Sequence, residues 1–140
     1  MMGVIKVNHF WIPMPDGTRL GARLWMPDGK DSYPAILEYI PYRKDDYTVK
    51  RDSNTIAHFA KHGYACIRVD MRGSGSSDGI PYDEYTDQEI DDGVAVIDWI
   101  ASQSWCNGKV GTMGISWGGI TGLQLAQRSP DALKTIISLG

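Results

Sequence analysis

A chain of 140 residues, 42% of them hydrophobic, with a formal net charge of −3, is the size of one ordinary domain. Its basic residues are scattered and form no Lys/Arg run, which argues against a nucleic-acid partner. The start, Met1 to Lys6, lacks a signal-peptide apolar core, and no later apolar run approaches spanning length, so a cytoplasmic protein without a membrane partner is expected.

Val4 to Met14, a Pro15-Asp16-Gly17 turn and Thr18 to Met26 read as a β-hairpin, closed by Pro27-Asp28-Gly29. Tyr33 to Tyr39 reads as a third strand, followed by Ile40-Pro41-Tyr42 and a charged loop from Arg43 to Asp52. Ser53 is the expected cap of a helix that carries Ile56, Phe59 and Ala60 on one face and stops at Gly63. Tyr64 to Asp70 reads as a strand leading into a Gly/Ser-rich loop. Thr86-x-x-Glu89 is a capping box, opening a helix with Ile90, Val94, Ile97 and Ala101 at helical spacing. Lys109 to Met113 reads as a buried strand and Gly119 to Arg128 as a helix that reaches Ser129 before the stop at Pro130. Leu133 to Leu139 makes a last strand. Cys66, inside a predicted strand, and Cys106, before an Asn-Gly turn, have neither metal nor disulfide spacing.

Strands alternating with helices after an antiparallel start predict a mostly parallel sheet with helices on both faces. Ligands bind such sheets at the carboxyl ends of the strands. That edge gathers Ser116, the loop after Tyr39, the loop from Arg72 to Tyr85, and whatever follows Leu139.

Gly114-Ile115-Ser116-Trp117-Gly118 lies between the buried strand and the helix after it. A serine on so sharp a bend has an exposed hydroxyl beside a helix N-terminus, which favours developing negative charge. Flanking glycines suit a strand and helix that approach too closely for a Cβ. The chemistry indicated is acyl transfer at Ser116. Gly75-Ser76-Ser77-Asp78-Gly79 matches the same pattern, but Ile80-Pro81 follows it and no helix opens there, so Ser77 is read as a turn residue.

Several features, in order, carry a family resemblance: Pro13-Met14-Pro15-Asp16-Gly17-Thr18-Arg19-Leu20, Ile40-Pro41-Tyr42, Asp70-Met71-Arg72-Gly73-Ser74-Gly75-Ser76-Ser77, Trp105-Cys106-Asn107-Gly108-Lys109-Val110-Gly111, and the stretch around Ser116. On these the chain resembles the α/β-hydrolases. More narrowly, it resembles the group of X-Pro dipeptidyl-peptidases, bacterial cocaine-type esterases (CocE/NonD) and α-amino acid ester hydrolases. The resemblance implies an α/β-hydrolase fold cut after about the sixth strand, with residues 1–140 forming the N-terminal portion of the catalytic domain. It implies Ser116 as nucleophile towards a small-molecule ester, amide or peptide, and the Trp117 N–H as one oxyanion donor. The Tyr42 hydroxyl is implied as the second donor, and adjacent Pro41 has no N–H to offer. Tyr42 also reads as an aromatic plug at a strand end, and Trp117 as either a wall of the acyl pocket or packing behind the bend. No cofactor or metal is implied, and the oligomeric state is open.

A nucleophilic serine needs a base and an orienting acid, in the chain order Ser, Asp or Glu, His. After Ser116 the only acid is Asp131, at the amino end of the last strand, and no histidine follows. His9, His58 and His62 come earlier and none suits the role. The resemblance places the missing acid and histidine in a remainder of the hydrolase chain beyond these residues. Asp45 or Asp46 could hold a substrate amine, against the reading of a solvated charged loop. Two other classes compete with this reading: a non-catalytic α/β-hydrolase-like binding module, and a nucleotide-binding loop at Gly73–Asp78. Asp78 stands in the second where a third glycine belongs, and its charge would repel a pyrophosphate.

Overall fold

Period-two alternation and well-placed turns build six strands and three helices in the computed structural model, which describes residues 2–140; Met1, the first residue of the span read as one domain, lies outside them. In chain order these are β1 (Val4–Pro13), β2 (Arg19–Pro27), β3 (Tyr33–Ile40), α1 (Val49–Lys61), β4 (Ala65–Asp70), α2 (Asp87–Ser102), β5 (Cys106–Ile115), α3 (Trp117–Arg128) and β6 (Leu133–Leu139). The strand order is β1-β2-β4-β3-β5-β6. β1 and β2 are antiparallel, as are β2 and β4, while β4, β3, β5 and β6 run parallel. The hairpin-then-parallel sheet expected from the sequence is the one observed. The elbow strand is longer than its apolar run suggests, because pairing with β3 begins at Cys106.

α2 and α3 cover one face of the sheet and α1 the other. Beneath α2 and α3 lies the larger core, with Leu24, Leu37, Ile67, Val96, Ile97 and Leu125. Alternation along β3 and β4 turns Ile36 and Cys66 to the α1 face, where they meet Trp25, Ile56 and Ala60. Burial pushes the Cys66 thiol up to about 12, so it behaves as an inert apolar side chain.

Two residues further along each strand, the α1 face turns from apolar to charged. Glu38 and Arg68 are direct neighbours in the β3–β4 register. Arg68 is wholly buried, its Nε 3.4 Å from Asp52 Oδ2 and its Nη1 3.5 Å from Asp70 Oδ1. Arg51 Nη2 adds bonds of 2.6 Å to Glu38 and 2.7 Å to Asp52. Burial raises the Glu38 carboxyl and lowers the Arg68 guanidinium from their ordinary values, and the opposite charges beside each counter that shift.

This network corrects the expected start of α1. The helix begins at Val49 with Thr48 as its cap, five residues ahead of Ser53, whose hydroxyl instead donates to Val49 O inside the helix. Arg51 and Asp52 read as loop residues because their partners, Glu38 and Arg68, come from distant strands. Paired with them, Asp52 sits buried in the first helical turn, where a negative charge also suits the helix dipole.

Removing the guanidinium would leave Glu38, Asp52 and Asp70 buried around one fewer cation. Arg68→Met is expected to lower unfolding stability by about 3–5 kcal/mol, measured by urea titration. A loss under about 1 kcal/mol would show the network to be solvated in practice.

Candidate active site

The site is built where β5 runs into α3. Ser116 takes φ 57° and ψ −116°, a conformation disfavoured for a residue with a side chain, and its side chain is exposed. Its amide donates to Leu139 O at 2.9 Å, and its carbonyl accepts from Ile120 N at 3.1 Å. The bend is thereby tied to the end of β6 and to the first turn of α3. A Cβ at Gly114 would run into the backbone of Gly118, and one at Gly118 would meet the Ile40 side chain at the end of β3. The strand and helix do approach as closely as the pattern predicts. Trp117 is the first residue of α3, where the amides have no intrahelical acceptor and the helix dipole is positive.

The second G-x-S-x-G is a turn, as expected. Ser77 donates to Asp70 O at 2.6 Å and accepts from Gly21 N at 2.9 Å, so its hydroxyl is committed to holding the loop. Gly73, Gly75 and Gly79 all have positive φ there, and no helix follows.

Tyr42 lies just beyond β3, the strand beside β5. The register pairs Leu37 with Thr112, and carried on by four residues it sets Pro41 level with Ser116. Tyr42 is half-buried, with its ring edge-on to Tyr47 at 6.4 Å. Its loop is held from below by Asp70. Oδ1 of that carboxylate accepts Lys44 N at 2.9 Å and Oδ2 accepts Ser76 N at 3.1 Å, so one buried group fixes the loops after β3 and β4 together.

The charged loop after Tyr42 is solvated only in part: Arg43, Asp45, Asp46 and Tyr47 are exposed, as read from the sequence, but the loop is anchored from within. Lys44 is fully buried, and Arg23 reaches both Lys44 O at 2.7 Å and Asp45 Oδ1 at 2.6 Å. Asp45 also accepts from Lys44 Nζ at 2.8 Å, and Asp46 from Arg43 Nε at 2.9 Å. Both carboxylates proposed for a substrate amine already have cationic partners within the chain.

The loop from Arg72 to Tyr85 closes the other flank. Arg72 grips Asp92 of α2 with Nε at 2.7 Å and Nη2 at 2.8 Å, while Nη1 reaches Asp16 at 2.8 Å and Thr18 at 2.6 Å. A small cavity of about 70 Å³ lies here, lined by Pro41, Met71, Arg72, Ile80, Pro81 and Trp117 among others. The edge that topology defines does bring together Ser116, Trp117, Tyr42 and this loop.

Trp117 does more than wall a pocket. Its indole Nε1 donates to Glu89 Oε1 at 2.8 Å, and its ring lies 5.2 Å from that of Tyr85. The Thr121 hydroxyl donates to the same oxygen at 2.9 Å, and Tyr85 N donates to Oε2 at 3.1 Å. Half of the expected capping box forms, since Thr86 Oγ1 accepts from Glu89 N at 3.2 Å. The returning carboxylate serves Tyr85, Trp117 and Thr121 in place of the Thr86 amide. Sequence spacing announced the cap but not these cross-element bonds, which depend on α3 packing against α2.

The histidines stay away from this edge. His9 is exposed on β1, edge-on to Trp11, and His58 and His62 are exposed on and just after α1, with His62 Nδ1 2.8 Å from His58 O. Asp131 lies in the turn before β6 and accepts Lys134 Nζ at its backbone oxygen, 2.5 Å away. Among the described residues no group of His, Cys, Asp and Glu could hold a metal ion, and no helix is long and apolar enough to cross a membrane.

Comparison with known proteins matches the same architecture. Residues 16–139 fit the sequence profile of X-Pro dipeptidyl-peptidase (S15 family). Cocaine esterase from Rhodococcus sp. (strain MB1 Bresler) is 36% identical over 130 residues, which cover 92% of this chain and 22% of that protein. A CocE/NonD family hydrolase from Staphylococcus aureus superposes with a TM-score of 0.84 at 26% identity, over 95% of this chain and 27% of the other. An α-amino acid ester hydrolase gives 0.76 at 29% identity, over 95% and 24%.

The Arg72 bonds hold the Asp16 carboxyl at about 2, below an ordinary 3.8. A depressed folded-state value stabilises above the unfolded value and loses that contribution as pH falls through the folded one. Asp16→Asn is therefore expected to melt below the parent at neutral pH, and the two curves to converge as pH falls towards 2. Melting curves that stay parallel over that range would show that the pair contributes nothing.

Proposed function

The chain belongs to the X-Pro dipeptidyl-peptidase (S15) family, whose relatives include esterases, and has the α/β-hydrolase fold; on that premise we propose that it carries the nucleophile of a serine hydrolase. It spans about a quarter of the length of the cocaine esterase it matches, or 22%. The observation that carries the proposal is the backbone of Ser116, held at positive φ between a parallel strand and the N-terminus of α3. Strain of that kind persists only where surrounding packing imposes it, and here it exposes one hydroxyl at the ligand-binding edge.

In the proposed reaction Ser116 Oγ attacks the carbonyl carbon of a small ester, amide or peptide. Its proton passes to a histidine base, which hands it to the leaving alcohol or amine as the ester C–O or amide C–N bond breaks; water then releases the acid from the acyl-enzyme and restores the serine. The Trp117 amide and the Tyr42 hydroxyl donate to the oxyanion. The acid and the histidine of the triad are proposed to come from the remainder of the hydrolase polypeptide, because Asp131, His9, His58 and His62 are placed elsewhere. The isolated 140 residues are accordingly proposed to be inactive, with no hydrolysis above a Ser116→Ala control. Serine-dependent turnover of an activated ester by the isolated residues would overturn that.

The alternative, a non-catalytic binding module on the same fold, leaves Ser116 unactivated. Fluorophosphonate labelling of the native gene product, read by intact mass, separates the two. The expected result is one adduct that Ser116→Ala abolishes and Ser77→Ala leaves in place, on a polypeptide much larger than this chain. No adduct, or one that survives Ser116→Ala, would overturn the nucleophile. Tyr42→Phe is expected to lower kcat by about 10²–10³ with the fold intact, as for loss of one oxyanion donor. An unchanged kcat would return Tyr42 to the role of aromatic plug.

A further inference from the structure

The surroundings of Glu89 exceed those of a capping residue. A capping-box carboxylate reaches back to its own N-cap amide, commonly in contact with water. The Glu89 residue is 8% exposed, and among the described residues its carboxylate pairs with no Lys, Arg or His. An anion taken out of water without a counter-ion is strongly disfavoured unless donors compensate. Three neutral donors do so, from the loop before α2 and from two points on α3. Its backbone is equally committed, with Tyr39 OH donating to Glu89 O at 2.9 Å. The site thus has a fully satisfied anion directly behind its first helical turn.

The two α3 donors are Trp117 and Thr121, four residues apart and so on one face of the helix. Held at both, α3 is not free to rotate about its axis or to slide along it. The indole is a rigid lever, with two side-chain torsions between its Nε1–H and the Trp117 backbone. We propose that Glu89 is a positioning residue: by fixing Trp117 and Thr121 from behind, it sets the direction of the Ser116–Trp117 peptide N–H towards the oxyanion. This rests on the proposed roles of Ser116 and Trp117. The strained Tyr85, at φ 58°, is the third contact of the same carboxylate, so the bond also fixes the loop that flanks the cavity.

The test is the rate of phosphonylation by a fluorophosphonate on the full native polypeptide. In that reaction the Ser116 Oγ–P bond forms, fluoride leaves and the serine proton passes to the base, while the phosphoryl oxygen occupies the oxyanion position. Glu89→Ala is expected to slow labelling about 10- to 100-fold, as for a misplaced reacting group. Glu89→Gln keeps an acceptor for the indole and hydroxyl, and is expected to recover most of the rate. In a Trp117→Phe background, which lacks the indole N–H but keeps the backbone amide, Glu89→Ala is expected to cost far less than it does in the parent. Additive losses across that cycle would mean that Glu89 acts through stability alone and would overturn the proposal.

A second readout needs no turnover. The Trp117 indole proton is expected to exchange slowly in the parent and rapidly in Glu89→Ala, and equal exchange would also overturn the proposal. Absence of any adduct on the parent overturns the hydrolase reading and the positioning role with it. An adduct on the parent, with Glu89→Ala labelled at the parent rate, overturns the positioning role alone.

Discussion

Carboxylates removed from water hold the carboxyl edge of this sheet together. Asp70 joins the loop after β3 to the loop after β4 through Lys44 N and Ser76 N. Asp92 anchors Arg72, which reaches across to the β1–β2 turn at Asp16 and Thr18. Glu89 joins the start of α2 to the first turn of α3. All three are buried, and each accepts from more than one group. Leaving such a charge unpaired would cost several kcal/mol, so each donor is held firmly once the carboxylate is desolvated. Loops that would otherwise be the most mobile parts of the chain are thereby referenced to the sheet.

The distribution of backbone strain follows the same logic. Among the described residues, four other than glycine have positive φ: Arg43, Tyr85, Ser116 and Ser129. Ser129 merely closes the end of α3. The other three lie on the carboxyl edge, Ser116 at the proposed nucleophile and Arg43 and Tyr85 in the loops on either flank of it. Each sits beside a tether: Arg43 precedes Lys44, whose amide is bound by Asp70; Tyr85 gives its amide to Glu89; and Ser116 gives its amide to Leu139. Strain of this kind costs of order 1–3 kcal/mol per residue and needs such tethers to persist.

The parts legible in the sequence are those whose cause is local. Hairpin turns, alternating apolar residues and the helical spacing of Ile90, Val94 and Ile97 each act within a few residues, and the fold follows them. The Ser116 bend was legible because its steric requirement, two glycines around a serine, is written at adjacent positions. The start of α1 was not, since Arg51 and Asp52 are polar in the sequence and acquire buried partners only when β3 and β4 pair. Asp45 looked free for a similar reason: one partner, Arg23, is 22 residues away on β2, and the other, adjacent Lys44, is turned towards it only by burial of that side chain. Glu89 was half legible: Thr86-x-x-Glu89 gave the cap, but nothing near it in sequence pointed to Trp117 or Thr121.

The edge is closed on one side of Ser116 and open on the other, and that asymmetry constrains how the proposed chemistry is completed. On the β3 and β4 side the two tethered loops cover the strand ends and leave the small cavity of about 70 Å³. On the β6 side lie Ile115, Ile120, Leu123, Ile137 and Leu139, all large, apolar and about half exposed. β6 itself pairs only with β5, leaving its outer backbone groups free among the described residues. An apolar surface gathered at one sheet edge marks where further protein packs. The proposed nucleophile sits at the rim of that surface, its amide donating to the carbonyl of Leu139, the last residue of β6. In the proposed reaction, the base would reach Ser116 from the β6 side, beside these exposed apolar residues.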